Sequence, residues 1–302
     1  MRPVRWCFAT AAGVCAAAGI LAAAVPAQAM PSAPTSPAGV QAAAAELVDA
    51  ATGHVLWTRN VNAEHPMASI TKVMTALVVI EAGDLNREIT VTAAAEQYGQ
   101  AYDPGEAGLH PGDVLTARQL LEGLLLPSGS DAAYMLATTY GPGWRAFVRK
   151  MNATARKLGM TRTHFANFDG LPWPTEYATY STAHDLVILG EAAMKLRPFR
   201  EIVAQKSHWI GATSLHHQYY WKNTNLLLGT FAGAIGIKTG FTLGAGYCLL
   251  FAAQRGDSEL IGVVLDSTKT DPDIRFTAAT NLLDWGFVTT AESRATALAQ
   301  AR

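Results

Sequence analysis

Residues 67–74 read "MASITKVM". From Ser69 to Ala82 the apolar residues Ile70, Val73, Met74, Leu77, Val78 and Ile80 recur at helical spacing, and Gly83 supplies a stop. Lys72 interrupts this stripe three residues after Ser69. Residues three apart share a helix face, so the amine can meet the hydroxyl. A serine alcohol is a poor nucleophile until a base takes its proton. A lysine of ordinary pKa, about 10.4, is protonated at neutral pH and cannot be that base. Burial and a neighbouring cation both lower that pKa. A lysine inside an apolar stripe therefore suits the chemistry. Taken alone, S-x-x-K is a common pattern, and an N-cap serine beside a solvent-reaching lysine also accounts for it.

Two stretches further along change the reading. "PSGSD" (127–131) places Ser128 and Ser130 in a loop after an apolar helix that starts at an N-cap, Thr116, and ends at Pro127. Asp131 opens the next helix, where a carboxylate suits the positive end of the dipole. "GIKTGFT" (236–242) places Lys238, Thr239 and Gly240 on a strand flanked by glycines. Each has a plain structural reading: a turn or N-cap for the serines, and an aggregation-blocking edge lysine for Lys238. In this order, however, they come from three elements that a helix-on-sheet fold can bring together.

The flanking sequence predicts such a fold. "AAAAELVDAATGHVLWTRN" (42–60) reads as two strands joined at "ATG", and "GAIGIKTG", "AGYCLLFAAQR" and "ELIGVVLDS" read as three more. Helical patterns cover 143–159, closing at Gly159, then 181–196, and finally 271–287. The stretch containing "DPGEAG" and "HPGD" reads as loops. Strands at both ends enclose a central run of helices. That order predicts one α+β domain, an antiparallel sheet built from both termini with a helical cluster around it. Its expected limits are 40–288, with a short tail at 289–302.

Composition narrows the function. The 302 residues carry 23 basic and 24 acidic side chains, which lacks the basic footprint of a nucleic-acid binder. "MRPVRW", an apolar run from Cys7 to Val25, and the small residues Ala27 and Ala29 make a secretory signal over 1–29. The run is long enough to span a bilayer, so a retained anchor is the alternative. Residues 30–39, "MPSAPTSPAG", read as a flexible lead-in. Loss of Arg2 and Arg5 leaves 21 basic against 24 acidic residues, a net charge of −3. Cys7 and Cys15 leave with the signal. Cys248, alone in "GYCLLFAA", then reads as a buried inert thiol with no partner for a disulfide. No H-E-x-x-H is present and His216–His217 are adjacent, so neither a metal nor another cofactor is expected.

Ser69 and Lys72 in S-x-x-K, Ser128 and Ser130 in S-x-S, and Lys238–Thr239–Gly240 together resemble the signature of the serine penicillin-recognising enzymes, whose fold is that of transpeptidases and β-lactamases. "ASITKVMTALVVIE", "LLLPSGSDAA", "GAIGIKTGFT" and "LLDWGF" are similar to the low-molecular-mass D-alanyl-D-alanine carboxypeptidases of bacterial cell walls, over roughly residues 40–288. The resemblance implies a hydrolase that removes the terminal D-alanine of peptidoglycan stem peptides, with β-lactams as covalent inhibitors. It implies that Ser69 is the nucleophile, Lys72 its base and Ser128 a proton relay. It implies that Lys238 and Thr239 bind the terminal carboxylate and that Gly240 leaves room for a substrate strand. Backbone N–H groups of Ser69 and Phe241 would form the oxyanion hole.

One position departs from the family pattern. Ser130 stands where the family carries asparagine, and a hydroxyl is shorter than an amide and offers one donor. The resemblance implies that it bridges Lys72 and substrate. A class A β-lactamase shares the fold, but its E-x-x-x-N is absent: none of Glu176, Glu191 and Glu201 has an asparagine four residues on. D,D-endopeptidase action on crosslinks uses the same chemistry on a larger leaving group. A non-catalytic wall-binding protein is the reading from another class, and it has no need for a nucleophile–base pair.

Overall fold

The computed structural model describes residues 35–102 and 107–300, and in it the first and last parts of the chain meet in one sheet. The leader at 1–29 and the start of the lead-in lie outside the described residues. The hairpin of β1 (Ala44–Asp49) and β2 (His54–Arg59) turns where "ATG" predicts. A short strand β3 (His65–Pro66) leads into a 3-10 turn, Ala68–Ile70, and α1 (Thr71–Ala82). Then come β4 (Glu88–Thr90), α2 (Ala93–Tyr102), β5 (Val114–Thr116), α3 (Ala117–Leu125), α4 (Ser130–Tyr140) and α5 (Trp144–Leu158). A long loop reaches β6 (Tyr180–Ser181), followed by α6 (Ala183–Met194), α7 (Arg197–Val203), β7 (Ser207–Ile210), β8 (Tyr219–Lys222) and α8 (Leu227–Thr230). The chain closes with β9 (Ala234–Thr242), β10 (Gly246–Arg255), β11 (Ser258–Leu265) and α9 (Ile274–Gln300).

The main sheet has the order β2-β1-β11-β10-β9, with every pair antiparallel. This is the α+β architecture predicted, with the K-T-G strand β9 at one edge. Alternate residues of the strands face opposite ways. Leu47, Leu249, Phe251 and Val264 pack with Phe276, Leu282 and Leu283 of α9 on one side. Val48, Leu250, Ile261 and Val263 pack with the helical cluster on the other. At the centre of that cluster α1 is buried continuously from Thr71 to Val79. A helix buried on all sides is a core helix rather than an amphipathic surface one. Thr116 and Gln119 form a reciprocal capping box at the start of α3, and Thr182 caps α6 by accepting from Asp185 N.

Three expectations are corrected. Ser69 sits in the 3-10 turn before α1, not in the α-helix itself, because Ala68 turns the chain with φ +48°. The 84–116 stretch is more than loops: α2 packs on α4, and β4 pairs with β5. The sequence "AAAEQYGQAY" has strong helix formers but little apolar periodicity, so its helix is set by propensity and packing. Finally, α9 continues through Gln300. "AESRATALAQ" contains no breaker, Thr290 is buried, and Arg294 reaches Asp49 Oδ2 at 3.8 Å, so residues 289–300 extend the helix instead of forming a separate tail. Among the described residues no helix is long and apolar enough to cross a membrane.

Candidate active site

The Ala68–Ile70 turn presents Ser69 half-buried at the head of α1. Lys72 follows one turn later with no exposed surface, and its Nζ lies 3.1 Å from Ser69 Oγ. The same nitrogen lies 3.5 Å from Ser128 Oγ. Two serine hydroxyls therefore converge on one buried amine, one from three residues away and the other from 56.

Ser128 is held in a left-handed conformation, φ +75°, which a non-glycine residue adopts only where its surroundings enforce it. Those surroundings are tight. A Cβ at Gly129 would lie 2.6 Å from Ala107 Cβ. Asp131, buried at the start of α4, accepts hydrogen bonds from Ala107 N (2.9 Å), Leu109 N (3.0 Å) and Ala132 N (2.8 Å). Its carboxylate thus serves as more than a dipole partner: it ties the 107–109 segment to the serine loop. Ser130 is completely buried at the first position of α4.

The K-T-G strand abuts the Ser69 turn. A Cβ at Gly240 would sit 2.7 Å from Met67 O and 3.3 Å from Ser69 N. The missing side chain therefore makes room for the turn that carries Ser69, which differs from the expected role of leaving space for a substrate. Lys238 is buried rather than being an exposed edge lysine, and its Nζ donates to Thr239 O at 3.1 Å. Phe241 is 40% exposed and stacks on Tyr247, with ring centroids 4.2 Å apart.

Three features escaped the sequence reading. Thr224, from the segment after β8, lies with its Oγ1 2.6 Å from Thr239 Oγ1. Arg275, at the start of α9, donates from Nη1 to Gly240 O at 3.2 Å and stacks over Tyr247 at 4.9 Å. The third is the loop before β6. Asn167, fully buried, donates to Leu171 O and Trp173 O at 2.8 Å each and accepts from Gly170 N. That coil sets Gly170 (φ +84°) beneath the Ala68–Ile70 turn, where a Cβ would be 1.9 Å from Ala68 O. The turn-forming "NFDG" was the one local sign of it.

Neither the thiol nor the candidate glutamates enter this constellation. Burial pushes the Cys248 thiol up to about 12, in keeping with an inert core cysteine. Glu176 accepts from Thr242 Oγ1 and Gly244 N, Glu201 pairs with Arg197 and Arg118, and Glu191 lines a cavity of about 270 Å³ with Lys195 and Arg200.

Comparison with known proteins agrees with this geometry. Residues 30–269 match peptidase family S11, described as D-alanyl-D-alanine carboxypeptidase. The chain is 42% identical over 248 residues to a D-alanyl-D-alanine carboxypeptidase of Streptomyces sp. strain K15, covering 78% of this chain and 84% of that protein. It is 40% identical over 242 residues to D-alanyl-D-alanine carboxypeptidase DacB2 of Mycobacterium tuberculosis, covering 80% of each. The crystal structure of the Streptomyces K15 DD-transpeptidase superposes with a TM-score of 0.77 at 39% identity, over 82% of this chain and 97% of that one. Two serines on one buried amine, a K-T-G strand against the Ser69 turn and a match along most of the chain lead to one assignment: the protein belongs to the D-alanyl-D-alanine carboxypeptidase family, peptidase family S11.

Proposed function

We propose that this protein is an exported serine D,D-carboxypeptidase that removes the terminal D-alanine from peptidoglycan stem peptides and is acylated by β-lactams. The observation that carries the reading is the buried Lys72 amine within 3.1 Å of Ser69 Oγ and 3.5 Å of Ser128 Oγ. The reading takes Lys72 as the general base because its amine is buried and reaches both serine hydroxyls. Ser69 Oγ attacks the carbonyl carbon of the D-Ala–D-Ala bond while Lys72 takes its proton. The C–N bond breaks as Ser128 relays that proton to the departing amine, leaving an ester on Ser69. Water then attacks the ester, giving one proton back to Oγ and releasing the shortened peptide. The N–H groups of Ser69 and Phe241 hold the oxyanion in both steps.

Burial also divides the labour at the carboxylate end. Lys238 is 1% exposed and Thr239 6%, so direct contact falls to the Thr239 hydroxyl, steered by Thr224. Lys238 and Arg275 supply positive field from behind. Ser130, with no exposed surface, opens α4 two residues after Ser128.

The test is direct. The mature protein is incubated with a tripeptide ending in D-Ala–D-Ala, and released D-alanine is measured beside Ser69→Ala. Release that survives in Ser69→Ala sinks the reading. Fast turnover of penicillin would favour a β-lactamase instead.

A further inference from the structure

The proposed chemistry fixes a direction along β9. With the terminal carboxylate at Thr239 and the scissile carbonyl at Phe241 N–H, the upstream part of the peptide runs antiparallel past Thr242 and Leu243. An extended chain advances about 3.4 Å per residue. The residue just before the D-Ala–D-Ala pair therefore lies beside the turn joining β9 to β10.

A carboxylate is fixed at that turn. Glu176 reaches it from the loop before β6, and its Oε1 accepts from Thr242 Oγ1 at 2.8 Å and from Gly244 N at 2.7 Å. The side chain lies against Gly244, where a Cβ would come 2.0 Å from Glu176 Cγ. Oε1 thus has two donors. Oε2 has no hydrogen-bond or ion-pair partner among the described residues, and Glu176 is only half-buried. A glutamine carbonyl would accept the same two donors. The clamp alone does not require a charge.

The surroundings suit a particular ligand. Tyr177, next to Glu176, is 63% exposed, and Leu243, between the two anchoring residues, is 77% exposed. A rigid anion bordered by exposed apolar surface complements a side chain with a methylene stem and an ammonium head. We propose that Glu176 is a specificity-determining residue whose carboxylate binds the side-chain amine of a diamino acid preceding D-Ala–D-Ala. This deepens the carboxypeptidase reading and rests on it. Glu176 touches none of the reacting atoms, so its effect belongs in KM more than in kcat.

The experiment compares Nα-acetyl-Lys-D-Ala-D-Ala carrying a free ε-amine with the same peptide ε-acetylated, following D-alanine release. The wild-type protein should favour the free amine in kcat/KM by about threefold to fivefold at low ionic strength, the size of an exposed ion pair, and by less at high salt. Glu176→Gln should bring the ratio to about one. Thr242→Val, which loosens the clamp and keeps the charge, should retain the preference. A wild-type ratio near one overturns the proposal, as does a ratio unchanged in Glu176→Gln or lost in Thr242→Val. These results leave the parent reading standing provided the acetylated peptide is cleaved and penicillin labels Ser69. Failure of both cleavage and labelling removes the two together.

Discussion

Lys72 occupies a place in the core that an apolar side chain would fill at lower cost. It is fully buried in α1, among Val73, Met74 and Thr75. Replacing it with methionine keeps the volume and removes the amine proposed as the base. The Lys72→Met variant should therefore incorporate labelled penicillin about 10²- to 10⁴-fold more slowly, the usual worth of a positioned base. Its melting temperature should hold or rise by about 2–4 °C, as when a functional site trades stability for activity. A variant that melts lower and still acylates quickly would show that the amine is structural. Gly240→Ala tests the strand beside it. Its Cβ would meet Met67 O at 2.7 Å, so the turn carrying Ser69 must shift. A displacement of that kind costs about 10²-fold in acylation rate, and an unaffected rate would mean that the turn can move freely. Ser69 and Lys72 stood out in the sequence because they lie three residues apart, and Lys238 because it sits in the compact K-T-G triplet. Thr224 and Arg275 were not. Each meets its partner across 15 and 35 residues respectively, with no local pattern to mark it.

At the scale of elements, the buried Glu122 of α3 links the helical cluster to the β7–β8 hairpin. Its Oε2 lies 3.0 Å from His208 Nε2, and Arg118 Nε lies 3.6 Å from its Oε1. Burial pushes the Glu122 carboxyl up to about 7, against the pull of Arg118. Burial, with help from Arg118, pulls His208 below its ordinary value. The signs oppose. The folded state binds more protons than the unfolded state at Glu122 between its ordinary value of 4.5 and about 7, so stability falls as pH rises through that window. At His208 the folded state binds fewer, so stability falls as pH drops below its ordinary 6.5. Glu122→Gln should leave only the histidine effect. Thermal melts of the variant should exceed wild type at pH 8 by about 1–3 kcal/mol and converge with it near pH 4.5. A gap independent of pH would show that the Glu122 carboxyl titrates alike in the folded and unfolded states. The β7–β8 hairpin itself carries no strong sequence signal, because "SHWI" and "YYWK" are short and half exposed. The helices α3, α5 and α6 were legible from caps and periodicity. The short strands and α2, by contrast, depend on neighbours that no local window contains.

For the whole molecule, the closing of one sheet by both ends of the chain was readable from element order alone. The order of strands within it followed from pairing β1 with β11, Ala44 opposite Leu265 and Asp49 opposite Leu260. The extent of α9 was not readable, since a run of good helix formers near a terminus looks like a tail until something packs on it. Here Thr290 is buried, and Arg294 reaches both Asp257 O at 3.4 Å and the buried Asp49 at 3.8 Å. Deleting residues 289–302 leaves Asp49 with fewer donors and uncovers the end of the β1–β2 hairpin. The truncated protein should lose about 1–3 kcal/mol of stability, read as a lower urea midpoint. Its folded fraction should still acylate with penicillin at the full rate. The reason is the sheet: α9 covers one face with Leu47, while α1 and Ser69 belong to the side of Val48. A truncation that slows acylation in proportion to its destabilisation would mean that the two faces are coupled through the strands, and that the sheet transmits strain to the turn carrying Ser69 instead of isolating it.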